Sequence, residues 1–205
     1  MAALYSYVLR YDDGTAPNPF WNVCTLTICK PAIRRNAAIG DWVIGTGSKN
    51  VRLQDGKTYD FSDSIVYAMK VSNKMTLADY DIYCKQYLFH KVPKLRSADW
   101  RMRLGDCIYE YNGNEIPIIR ESHHGSNYLS RDINGLYSLL SNQFYYFGRA
   151  ARPIPFELRS IIKKNQGHLR ITNQELIMLF EEWIQQFNMN ELYGEPQLRF
   201  KENAL

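Results

Sequence analysis

Gly45-Thr46-Gly47-Ser48-Lys49 puts two hydroxyls, a cation and two glycines within five residues. Such a loop can present backbone amides and positive charge to a phosphate or to the polar edge of a base; equally, it can be a glycine turn that ends a strand. Its spacing fits neither a Walker loop nor a dinucleotide fingerprint. Trp42, Tyr67, Phe20 and Trp21 are the candidate rings for stacking a base, with Asn18 beside the last two and Arg10, Lys30 and Arg34 as charge partners. Trp42 also suits a core position.

Fewer residues suggest a reaction. Cys29 precedes Lys30, and a nearby cation lowers a thiol pKa, although buried inert thiols are the commoner case. Tyr11 and Asp12, followed by Asp13, could supply a base at the end of a strand; paired aspartates there are also ordinary turn formers. His123 is a candidate general base or phosphate contact. Its neighbour His124 points the other way on an extended segment, so the pair is not expected to share a metal, and neither a metal nor a cofactor is predicted. No triad or paired-acid pattern stands out, which favours a binding module over an enzyme.

At 205 residues the chain can bury one sizeable core. A formal charge of +4 is mildly basic, short of the dense stripe of an avid duplex binder. Fifteen tyrosines, nine phenylalanines and four tryptophans either fill the core or stack bases. No apolar run reaches the length of a membrane span, and the N-terminus has no basic leader pattern, so a cytoplasmic protein is expected. Four cysteines without a C-x-x-C pair read as reduced core thiols.

These residues need elements to place them. Strands are predicted over residues 4–10, 42–44 and 64–71, with Trp42 and Ile44 on one face of the second and the glycine loop following it. Pro17 and Pro19 make residues 16–21 an ordered loop, and residues 23–29 are a strand or one helical turn. Asp55-Gly56 marks a hairpin or flap, and Asn112-Gly113 a hairpin running to Ile119. Thr76-Leu77-Ala78-Asp79 caps a helix to about Tyr87. Residues 89–103 read as a solvated basic loop, 131–140 as one or more helical turns, 144–147 as a buried strand and 155–164 as a short helix. Thr172-Asn173-Gln174-Glu175 caps a final helix with Leu176, Leu179, Phe180, Trp183 and Phe187 on its apolar face. The tail beyond Pro196 is expected to be loosely held.

The blocks Tyr5-Ser6-Tyr7-Val8-Leu9-Arg10-Tyr11-Asp12-Asp13-Gly14, Ala16-Pro17-Asn18-Pro19-Phe20-Trp21, Cys29-Lys30-Pro31, Gly40-Asp41-Trp42-Val43-Ile44-Gly45-Thr46-Gly47-Ser48 and Ile65-Val66-Tyr67-Ala68-Met69 resemble the second type of nucleotide-modification-associated domain. The resemblance covers roughly residues 4–150. That bacterial and phage group takes its name from genomic association with base modification; it implies a theme rather than a reaction. A weaker similarity is to pseudouridine-synthase-and-archaeosine-transglycosylase-like (PUA-like) barrels, whose relatives close aromatic residues around a base.

The expectation is therefore an α+β protein: a small mixed barrel over residues 1–150, with a helical extension over 151–205 on the same core. Its expected role is recognition of a nucleotide or modified base, free or in nucleic acid, in a modification or defence pathway. An enzyme acting on such a ligand and a protein-interaction module are the alternatives. The expected partner is a nucleotide or nucleic acid, not a membrane; a homo-oligomer or a pathway partner protein stays open.

Overall fold

A computed structural model describes residues 2–113 and 116–198. In chain order the elements are β1 (Leu4–Val8), β2 (Cys24–Leu26), α1 (Pro31–Asn36), β3 (Trp42–Thr46), β4 (Val51–Arg52), β5 (Thr58–Tyr59), β6 (Ser64–Lys70), β7 (Asn73–Thr76) and α2 (Leu77–Gln86). Beyond these lie α3 (Trp100–Arg103), β8 (Tyr109–Glu110), β9 (Ile118–Ile119), α4 (Leu129–Ile133), β10 (Tyr137–Ser141), β11 (Gln143–Tyr146), β12 (Arg152–Pro153), β13 (Leu169–Ile171) and α5 (Gln174–Ile184). The molecule is α+β, as the sequence predicts.

The main sheet runs β11-β6-β3-β1-β13, with β12 also on β6; a second sheet runs β2-β10-β7. The β1–β3 pair is parallel, and the other ladders are antiparallel. Among the described residues these ladders do not close into one barrel. The two sheets instead share a core, in which Tyr5, Tyr7, Val43 and Met69 of the main sheet meet Cys24, Leu26 and Leu139 of the second.

The main sheet is buried on both faces. Alternation sends Leu4, Trp42, Ile44 and Ala68 the other way, against Ile177, Phe180 and Ile184 of α5. Trp42 is fully buried there, edge-on to Phe180, and its Nε1 donates to Glu181 at 2.7 Å. Thr76 caps α2 by accepting from the Asp79 amide at 3.1 Å, as predicted. In α5 the cap is Asn173, which accepts from the Leu176 amide at 3.1 Å, one residue later than the predicted box. The buried stripe shifts with it, leaving Leu179 partly exposed.

Several expectations change. Residues 131–140 become α4 and then strand β10, because Leu136 takes a left-handed φ of 62° that breaks the helix. Residues 156–161 form a tight 3-10 turn. The basic stretch 89–103 is not wholly solvated: Lys91 is buried, and its Nζ donates to Asn18 O, Asn18 Oδ1 and Val23 O. The tail is tied as far as Leu198, whose amide donates to Asp12 O at 2.8 Å; the rest of the tail, and Glu115 of the predicted hairpin, lie outside the described residues.

Candidate functional site

Because β1 and β3 are parallel and in register from Leu4↔Trp42 to Val8↔Thr46, their C-terminal ends open at the same level. The segments leaving the two strands are therefore side by side. Arg10 from the run-out of β1 faces Gly47, Ser48 and Lys49 from the loop after β3, a placement in which parallel strands commonly present ligands. Residues 159–167, on the way to β13, supply the opposite wall. The cleft between them has a volume of about 830 Å³. Arg10, Lys30, Lys49, Arg159, Lys163 and Lys164 line it, with Asp63 as the carboxylate among them. Asp63 lies 3.8 Å from Arg159. Lys30 sits 4.2 Å over the Tyr7 ring, and burial lowers its pKa.

The glycine loop is built differently from the expectation of open amides. Gly47 N–H donates to Ser64 O at 2.8 Å, and the Phe61 backbone occupies the space a Cβ would need. Gly47 is thus required for a close approach of two chain segments. Thr46 is buried, its hydroxyl on Tyr7 O. Ser48 and Lys49 are the loop side chains left at the cleft.

A second groove of about 400 Å³ continues from the first, sharing Arg10, Lys30, Gln166 and Gly167 and adding Tyr11, Cys29, Arg131 and His168. Cys29 and Lys30 both have left-handed backbones, φ 59° and 41°, at the turn from β2 into α1. Two buried residues brace that turn. Asp132 Oδ1 accepts the Cys29 amide at 2.9 Å, and Arg34 Nε donates to Cys29 O at 2.8 Å while its other nitrogens reach Tyr137 O and Asp132 O.

Asp132 Oδ2 is also 2.6 Å from His124 Nε2 and accepts from Tyr109 Oη at 3.0 Å. Burial pushes the Asp132 carboxyl up, but these donors outweigh it and hold it below the usual range. Burial, and then Asp132, raise the Cys29 thiol, with Arg131 and Lys30 opposing. Ligand atoms of Cys29, His124 and Asp132 lie within 4.8 Å of one another. A thiol, an imidazole and a carboxylate are donors a cation could use. Here, however, both Asp132 oxygens are already hydrogen-bonded, and Arg131 reaches Cys29 Sγ at 3.6 Å. The arrangement is a hydrogen-bonded chain.

The structure thus brings together Arg10, Lys30, Gly47, Ser48 and Lys49, with Tyr11 and Cys29 in the adjoining groove. It places the others elsewhere. Tyr67 is buried, its hydroxyl 2.8 Å from that of Tyr7, with its ring against Gly45. Asn18 and Phe20 of the proline loop are themselves buried, Asn18 donating to Leu104 O at 2.8 Å and Phe20 packing edge-on to Trp100. Trp21 stacks on His90, with Arg101 over it.

Arg34 and Trp42 are core residues. Asp12 is buried, accepting from Tyr146 Oη at 2.6 Å and from the Gln197 amide at 3.2 Å; burial pushes its carboxyl up to about 7. It holds the C-terminal segment in place. Of the two adjacent histidines, His124 rather than His123 joins the Cys29 cluster. Arg159, Lys163 and Lys164 are not singled out by any motif, although three cations within six residues before Gly167 are a visible signal.

Among the described residues no helix is long and apolar enough to cross a membrane. No protein of curated function and no solved structure matches the chain. The family described as nucleotide modification associated domain 2 matches residues 1–204, well beyond the stretch that carries the resemblance, and the protein belongs to that family.

Proposed function

We propose that the cationic cleft binds the phosphate of a nucleotide, free or within nucleic acid, and that the protein recognises this ligand or its modified base in a bacterial or phage modification or defence pathway. The observation that carries this reading is the charge imbalance: Arg10, Lys30, Lys49, Arg159, Lys163 and Lys164 converge on one cleft that holds Asp63 as its carboxylate. Guanidinium forks and ammonium groups are the usual partners of phosphate oxygens, and the volume lies within the range of small-molecule sites. Membership of a family associated with nucleotide modification supports the same ligand class. An enzymatic role is the second reading, favoured by the Cys29, His124 and Asp132 cluster beside the adjoining groove.

Calorimetric titration with the four deoxynucleoside monophosphates and a short single strand, at low and moderate salt, tests the site. Saturable binding that weakens with salt is expected, and Lys163→Glu with Lys164→Glu should lower affinity about tenfold or more. Affinity unchanged by the double reversal would rule out this cleft.

A further inference from the structure

The geometry points to Cys29 as a catalytic nucleophile that adds to the ring of a pyrimidine nucleotide, with His124 as its base and Asp132 as the residue that positions His124; this rests on the phosphate reading of the cleft. Cys24, Cys84 and Cys107 are buried, whereas Cys29 is half-buried and lines the groove that opens into the cationic cleft. A ligand with its phosphate among Arg10, Lys30 and Lys163 has room to extend toward the sulfur.

The Cys29 turn is braced on both sides, its amide by Asp132 and its carbonyl by Arg34. Bracing alone needs neither a thiol nor an imidazole. Yet His124 is aligned by a 2.6 Å hydrogen bond to Asp132, and its ring, the thiol and that carboxylate cluster within 4.8 Å. Nucleophile, base and orienting acid are the three parts of an activated-thiol site. With its thiol raised by burial, Cys29 rests protonated and needs a base at the moment of attack. Among the described residues, the charged and titratable groups facing this pair are Tyr7, Asp13, Asp132, Lys30, Arg131, Arg34 and Tyr109 around Cys29, and Asp132 and Tyr128 around His124.

The chemistry of sulfur selects the base. A soft thiolate adds to a conjugated carbon, and among the standard bases the pyrimidines offer a C5=C6 bond conjugated to the C4 substituent. The Cys29 proton passes to His124 as sulfur bonds to C6, and the C5=C6 pair moves toward the C4 substituent, into a site rich in cations. C5 then takes a proton from solvent. Reversal removes a proton from C5, breaks the S–C6 bond and returns the proton from His124 to sulfur. Nothing is oxidised or reduced, and the one net change is exchange of the C5 hydrogen with solvent.

That exchange is the test. Proton NMR of dUMP, dCMP and a short single strand of the two, in deuterated buffer with the full chain, should show loss of the H5 signal. Cys29→Ser should abolish the loss, and His124→Gln should slow it about tenfold or more. Nucleotide binding by calorimetry without H5 exchange overturns this inference and leaves the phosphate reading standing; no binding overturns the phosphate reading.

Iodoacetamide, which forms an S–C bond as iodide leaves, examines the pair without a nucleotide. Alkylation of wild-type Cys29 should already proceed well below the thiol's own raised ionisation, and be about tenfold slower at neutral pH in His124→Gln. A wild-type rate that rises only with the thiol's own high-pH ionisation overturns the pairing, even if the variant does not fold.

Discussion

Arg34, buried behind the turn that carries Cys29, and Arg159, in the wall of the cationic cleft, carry the same guanidinium and are placed in opposite ways. Arg34 is fully buried; its nitrogens donate to Cys29 O, Tyr137 O and Asp132 O, and the absence of a Cβ at Gly135 makes room for it. Arg159 is half-exposed, 3.8 Å from Asp63 and with its guanidinium 5.6 Å from the centre of the Phe156 ring. Around Arg34 the charges hold the chain; around Arg159 they are available to a ligand. Among the described residues Arg10, Lys49, Lys163 and Lys164 make no ion pair, so a phosphate there need not break one. Desolvation, not charge, is what sets Arg34 apart from Arg159.

The sharpest way to break the comparison is to remove each arginine in turn. Arg34→Leu leaves three carbonyls without their donor and should cost about 3–5 kcal/mol, read from the urea midpoint. Arg159→Gln should stay within about 0.5 kcal/mol of wild type. Similar losses at both positions would erase the distinction.

Asp12 extends the buried side of the comparison. Its carboxyl is raised in the fold, from 3.8 to about 7. A raised folded value means that the unfolded chain loses this proton first. Stability from the group is therefore fully present below about pH 4 and is lost as pH rises to about 7. Asp12→Asn should flatten this part of the stability profile, by up to a few kcal/mol across the window, as followed by denaturant unfolding at about pH 4, 5.5 and 7. A variant profile that falls as steeply as wild type would show that Asp12 does not titrate in this way.

The smallest effect belongs to the cleft. Ser48 lines it, and its hydroxyl already donates to Lys49 O at 3.2 Å, so Ser48→Ala should weaken nucleotide binding about two- to threefold in the calorimetric titration without altering the melting temperature. A larger loss, matching that of the charge reversals at Lys163 and Lys164, would make the loop rather than the cations the principal contact.

Local pattern was enough to locate β1, β3 and β6, the Thr76 cap, the amphipathic C-terminal helix, the family, and the nearness of Lys30 to Cys29, because alternation, caps and motifs are properties of neighbouring residues. It also named Arg10, Ser48 and Lys49, whose position is settled once two strands run parallel in register, and Lys30, which reaches the same cleft from the turn before α1. Which arginine is buried, and which ring is core, could not be read in that way: Trp42 suits a stacking surface and a core alike until α5 covers it, and Arg34 is a candidate phosphate partner until Asp132 and Tyr137, about a hundred residues on, close around it. The cluster likewise joins Cys29 to His124 and Asp132, about a hundred residues further along the chain. Burial and close approach between distant segments are set by packing, and so the roles of these polar groups were decided by the tertiary structure alone.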